Sequence, residues 1–83
     1  MYYLYILRCS DDTFYTGITT DIKRRIDEHN GEGKGARYTR ARQPVSLVYS
    51  EEYPDRSSAS KREYYIKHNM SRQDKSNLIN KPQ

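Results

Sequence analysis

The chain is short of the residues that usually fill a small core: among its 83 residues there is no tryptophan and a single phenylalanine. Cysteine also occurs once, at Cys9. That excludes an internal disulfide and a thiolate zinc site, and it fits a reducing compartment. No apolar run approaches the roughly 20 residues needed to cross a bilayer. The segment Met1-Tyr2-Tyr3-Leu4-Tyr5 lacks the basic start and long apolar stretch of a signal peptide. A soluble, cytoplasmic chain with no membrane partner is expected. It should form a single domain over 1–83, with its core at about 2–79 and a frayed tail at 80–83. Acidic residues are the minority, 11 against 15 Lys and Arg, for a formal charge of +4. Such an excess suits a polyanion without identifying one.

What the chain has instead is tyrosine, nine in all. A tyrosine packs its ring while keeping a hydroxyl available, which suits a small core opening onto a polar site. Tyr2–Arg8 is dense in aromatic and aliphatic residues and predicts a strand. Ser10-Asp11-Asp12-Thr13 supplies turn chemistry, and Phe14–Ile18 follows at hairpin distance. Side chains alternate along a strand, so Tyr5 and Tyr15 share a face only if the turn is odd in length. Ser10-Asp11-Asp12 provides such a turn, with Tyr5 opposite Gly17 and Leu7 opposite Tyr15.

Thr19, Thr20 and Asp21 offer three caps for a first helix that carries Ile22 and Ile26 and ends at Asn30-Gly31. Residues 30–43 form a Gly-rich basic loop. Pro44 introduces a third strand, Val45–Ser50, with Val45, Leu47 and Tyr49 expected on one side. Asp55 caps a second helix reaching about Asn69, and Ser71-Arg72-Gln73-Asp74 starts a short last helix bearing Leu78 and Ile79. The order is β-β-α-β-α-α: an α+β domain whose three-stranded, mainly antiparallel sheet is flanked by helices.

Several polar residues fall where a buried or paired environment would make them reactive. Arg25 and His29, at i and i+4, project from one face of the first helix, where a guanidinium fork and an imidazole would reach one phosphate. Glu63 interrupts the stripe Ala59, Ile66, Met70 on the second long helix, so its carboxylate needs an arginine, a metal or an open cleft. One carboxylate is enough for Mg²⁺ or Mn²⁺ when water and a phosphate complete the shell. Lys34, Arg37, Arg40 and Arg42, with Tyr38 among them, could grip a nucleic-acid backbone and stack a base.

Taken in order, Tyr3-Leu4-Tyr5, Tyr15-Thr16-Gly17, Arg25 and Glu63 resemble the GIY-YIG nuclease superfamily over roughly residues 2–79. The short, stand-alone bacterial members are the most similar, and their loop resembles Gly35-Ala36-Arg37-Tyr38-Thr39 followed by Pro44-Val45. The resemblance implies active-site roles for Tyr5, Tyr15, Arg25 and His29, a motif-closing role for Gly17, and metal binding by Glu63. It implies a nuclease acting on DNA with Mg²⁺ or Mn²⁺, at non-canonical or single-stranded structures and in repair or processing. A domain this small reads few base edges, so sequence specificity would come from a protein partner or a dimer. The chain departs from the pattern at Tyr3, where a glycine is usual, and at Thr16, where isoleucine is usual. Ile18 stands where some members carry a lysine, and a common asparagine falls near Lys75, with Asn77 two residues on.

Plainer readings stand beside these. Glu63 could pair with Arg25 or cap with Ser60, His29 could serve the helix dipole, and the loop arginines could be ordinary surface. Cys9 has no neighbouring motif to activate it, and His68 has no assigned role. Two other functions remain open on these grounds: a non-catalytic nucleic-acid-binding module, and a protein-interaction domain held by an Arg25–Glu63 pair.

Overall fold

The computed structural model describes residues 1–31 and 35–80. Lys34, Glu32 and the tail Lys81-Pro82-Gln83 lie outside the described residues. Strands β1 (Tyr2–Arg8), β2 (Phe14–Thr19) and β3 (Ser46–Tyr53) form an antiparallel sheet in the order β2-β1-β3. Helices α1 (Ile22–Asn30), α2 (Arg37–Arg40), α3 (Arg56–Asn69) and α4 (Arg72–Asn80) complete the fold. The expected α+β order holds, with α2 added as one turn inside the basic loop.

Central β1 explains why so few large apolar residues suffice. Leu4, Tyr5, Ile6 and Leu7 are all buried, alternating between two faces that are both covered. On one face Tyr5 and Leu7 pack with Cys9, Val45, Tyr15 and Ile26. On the other, Leu4 and Ile6 pack with Ile66 of α3 and Leu78 and Ile79 of α4. Burial pushes the Cys9 thiol up, in keeping with a packing role.

The hairpin turn has the odd length that parity requires. Cys9 N–H donates to Thr13 O at 2.8 Å and Asp12 N–H to Cys9 O at 3.0 Å, enclosing Ser10-Asp11-Asp12. Asp12 sits in the left-handed region at φ 64, as the last residue of a three-residue hairpin loop commonly does. Tyr5 therefore pairs with Gly17 and Leu7 with Tyr15.

Strand β3 departs from expectation twice. Ile6 pairs with Tyr49 but Leu7 with Leu47, so Val48 is an extra residue in a bulge. The bulge reverses the parity of the strand. Val45 packs on the Tyr5 face and Tyr49 on the opposite face, so the expected one-sided series is broken. The strand also runs on to Tyr53. Glu51, beyond the expected end of the strand at Ser50, is satisfied inside the sheet. It accepts from the Tyr49 hydroxyl, from Tyr53 at 2.5 Å and from Arg62 of α3 at 3.0 and 3.2 Å. Burial opposes its ionisation, but these hydrogen bonds hold its carboxyl below the usual range.

The caps are local and polar. Asp21 accepts from Arg24 N–H at 3.1 Å and Asp55 from Ser58 N–H at 2.8 Å. Ser71 and Asp74 form a reciprocal box at 3.0 and 3.1 Å. None of the helices among the described residues is long and apolar enough to cross a membrane.

Candidate active site

The site is built on the pairing of Tyr5 with Gly17. A Cβ on Gly17 would come 2.5 Å from the Tyr5 hydroxyl oxygen, so the Tyr-x-Gly motif leaves room for the phenol to lie across β2. Tyr15, two residues earlier on the same face, places its ring centroid 6.4 Å from that of Tyr5. The two rings differ in access. Tyr5 is 1% exposed, whereas Tyr15 is half-buried and lies at the rim.

Helix α1 contributes Arg25 and His29. His29 is fully buried, with Nε2 at 2.8 Å from the Tyr5 hydroxyl and Nδ1 at 2.8 Å from Thr39 Oγ1. Burial, reinforced by the Arg25 charge and only partly offset by Glu28, lowers its pKa to about 4. It is thus neutral at physiological pH, with both ring nitrogens engaged. The expectation that its imidazole grips a phosphate beside Arg25 is therefore corrected: the ring supports Tyr5 from behind. Arg25 has its own ion pair, with Glu28 at 2.9 Å, and lies against the Tyr5 oxygen.

Helix α3 packs against β1 and β2 and supplies Glu63. Its ion-pair partner is Lys67 at 3.3 Å, one turn along the same helix, in place of the Arg25 or Ser60 that the sequence suggested. Lys67 Nζ also lies 5.6 Å from the Tyr15 ring centroid. Burial raises the Tyr5 pKa to about 12; Arg25 favours the phenolate, while Tyr15 and Glu63 oppose it.

Beside this group opens a cleft of about 260 Å³ lined by Phe14, Tyr15, Thr16, Tyr38, Lys67 and Lys75. The two lysines escape sequence reasoning because each reads as solvated helix surface. Only the packing of α3 and α4 beside β2 turns them toward the tyrosines. Their signal was faint: Lys67 follows Glu63 by one turn.

The described residues of the basic loop are more structured than its composition suggests. Asn30 exchanges two hydrogen bonds with Val45, at 2.7 and 3.1 Å, and Gln43 donates to the carbonyls of His29 and Gly31 at 2.8 and 2.9 Å. These contacts satisfy the open end of α1 and fix the return of the chain. Arg42 is committed to this scaffold. It pairs with Asp11 at 3.0 Å, donates to Tyr38 O at 2.9 Å and lies 4.0 Å from the Tyr38 ring centroid. Tyr38 also stacks on Tyr15 at 6.0 Å. Arg37 and Arg40 project outward and exposed.

Among the described residues no group of three or more His, Cys, Asp or Glu is placed to hold a metal ion. A divalent cation would rest on Glu63, whose side chain is 25% exposed, with water and a phosphate as its other ligands. The Lys67 ammonium, 3.3 Å from the Glu63 carboxylate, would have to give way to such a cation.

With two tyrosines on one face of a hairpin, an arginine from the next helix and a glutamate from a later one, the chain belongs to the GIY-YIG family: the GIY-YIG catalytic domain model matches residues 1–77. Within it, the chain is 65% identical over 66 residues to a UPF0213 protein of Desulfotalea psychrophila, covering 80% of this chain and 60% of that protein. It therefore spans less than two thirds of that relative. A UPF0213 protein of Halobacterium salinarum is 50% identical over 79 residues, covering 95% of this chain and 100% of the relative. The solution NMR structure of a UPF0213 protein from Bacillus halodurans superposes with a TM-score of 0.59 at 48% identity, covering 95% and 83% of the two chains. A solution NMR structure from E. faecalis gives 0.60 at 40% identity, covering 93% and 81%. The domain is of nuclease type.

Proposed function

We propose that the chain is a divalent-metal-dependent nuclease that hydrolyses phosphodiester bonds in DNA, with non-canonical and single-stranded structures as its first candidate substrates. The observation that supports this reading is the placement of Tyr5 and Tyr15 on one face of the hairpin, 6.4 Å apart by ring centroid, with Lys67 of α3 reaching both the Tyr15 ring at 5.6 Å and Glu63 at 3.3 Å. Hydrolysis needs an oriented nucleophile, stabilisation of added negative charge and help for the leaving oxygen.

Access divides the labour among the residues. Tyr15, at the rim, offers a hydroxyl to orient the attacking water, with the Lys67 ammonium 5.6 Å from its ring centroid. Arg25 donates to the non-bridging phosphate oxygens, where charge builds as water adds. Glu63 would hold the divalent cation, which supplies Lewis-acid stabilisation of the phosphate and the leaving oxygen. Tyr5, protonated at neutral pH and backed by His29, holds Arg25 and Tyr15 at their spacing. Lys75 and the exposed Arg37 and Arg40 would steer the strand into the cleft.

A non-catalytic nucleic-acid-binding module is the competing reading. The ion pair that occupies Glu63 at 3.3 Å favours it. Cleavage assays on single-stranded, duplex and branched DNA, and on RNA, with and without Mg²⁺ or Mn²⁺, separate the two. Metal-dependent cleavage of at least one substrate is expected; binding without cleavage on all of them would transfer the assignment to the module.

A further inference from the structure

Tyr5, His29 and Thr39 are 1%, 0% and 0% exposed and form one chain of hydrogen bonds from the sheet to the basic loop. Donor and acceptor counting gives that chain a direction. The Tyr5 oxygen lies against the Arg25 guanidinium, which only donates. The buried phenolic proton has His29 Nε2, 2.8 Å away, as its acceptor. A neutral imidazole that accepts at Nε2 carries its proton on Nδ1, and Nδ1–H meets Thr39 Oγ1 at 2.8 Å. The Thr39 hydroxyl spends its own proton on Ala36 O at 2.9 Å. Ala36 N–H also faces Nδ1, but at 3.4 Å, and is the weaker contact.

The loop is shaped to make this contact. Gly35 crosses the end of α1 so closely that a Cβ would stand 2.8 Å from His29 Cα. The one turn of α2 then carries Thr39 inward while Arg37 and Arg40 face outward.

We infer that Thr39 is a positioning residue: by accepting from Nδ1 it fixes the His29 tautomer that holds the Tyr5 hydroxyl, and so couples the basic loop to the two-tyrosine site. Without the Thr39 oxygen, Nδ1 would instead accept from Ala36 N–H. The proton would move to Nε2, and the Tyr5 hydroxyl would have to turn away from it.

The test reads the tautomer directly, through the ¹⁵N shifts of the His29 ring at neutral pH. Nδ1–H is expected in the wild type and in Thr39→Ser, and Nε2–H in Thr39→Val. Thr39→Ala repeats the measurement if the valine variant does not fold. Nε2–H in the wild type, or Nδ1–H retained in a variant lacking the hydroxyl, overturns the inference. A second arm rests on the nuclease reading: single-turnover cleavage should fall on the order of tenfold in Thr39→Val, with DNA affinity unchanged and the rate restored by serine. A changed tautomer with unchanged cleavage would remove Thr39 from the site's function and leave the nuclease standing. A wild type that cleaves nothing would remove the nuclease while the ring shifts still decide the tautomer.

Discussion

Gly17 and Tyr5 face each other across the hairpin so closely that a methyl group on Gly17 would stand 2.5 Å from the phenolic oxygen. The glycine is needed here for room, since its backbone lies outside the left-handed region. Overpacking of this kind typically costs about 1–3 kcal/mol. Gly17→Ala is therefore expected to destabilise the domain by about that amount in chemical denaturation and to displace the Tyr5 ring. Unchanged stability would mean that the tyrosine is less firmly seated than the structure indicates.

His29 gives the fold a defined acid sensitivity. Its pKa is about 4 in the folded chain against an ordinary 6.5, so the unfolded chain binds more protons between those values. The stabilisation is complete above about pH 6.5 and is lost as pH falls toward 4. Arg25 strengthens the effect and Glu28 weakens it. Between pH 7 and 5 the wild type should lose about 2 kcal/mol that His29→Gln does not lose. Parallel curves for the two proteins would contradict a buried neutral ring.

The loop arginines should separate by what they touch. Arg37 and Arg40 are exposed, so removing each should flatten the salt dependence of DNA binding by roughly 0.7–0.9 in log–log slope, the two ends corresponding to single-strand and duplex substrates. Arg42 is tied to Asp11 and Tyr38, and both partners are partly solvated. Arg42→Ala should instead lower stability by about 1 kcal/mol, with little change in slope. Equal slope effects at all three positions would show that Arg42 leaves its partners to bind phosphate.

Much of this arrangement was legible in the sequence where the rules are local. Turn parity put Tyr5 and Tyr15 on one face, and Asp21, Asp55 and Ser71 marked the helix starts. What was not legible depends on contacts between distant segments. The bulge at Val48 reverses the face of Tyr49, and no residue type announces it. Glu51 sits within a strand because Arg62, eleven residues on, neutralises it. Thr39 lies in a run of exposed cations, and only the close crossing of Gly35 over α1 turns it inward. Lys67 belongs to the site because α3 packs beside β2.

Lys67 also allows a test of where a cation binds. Its ammonium lies 3.3 Å from Glu63 Oε2 and competes with any metal there. Lys67→Met should tighten Mn²⁺ binding several-fold in a paramagnetic relaxation titration, with broadening centred on Glu63. Unchanged affinity would place the metal elsewhere.

Glu63 provides the most direct test of the central claim. In the nuclease account Glu63 holds the metal while Arg25 meets charge that builds during attack, so loss of either acts on turnover more than on binding. The measurement is single-turnover cleavage by Glu63→Gln, made alongside a DNA-binding titration and a thermal melt. The account predicts an intact fold, affinity close to wild type, and metal-stimulated cleavage lower by on the order of a hundredfold or more. A variant that gains stability while cleavage stays at the wild-type rate would contradict it, leaving Glu63 as a carboxylate whose role ends at its ion pair with Lys67.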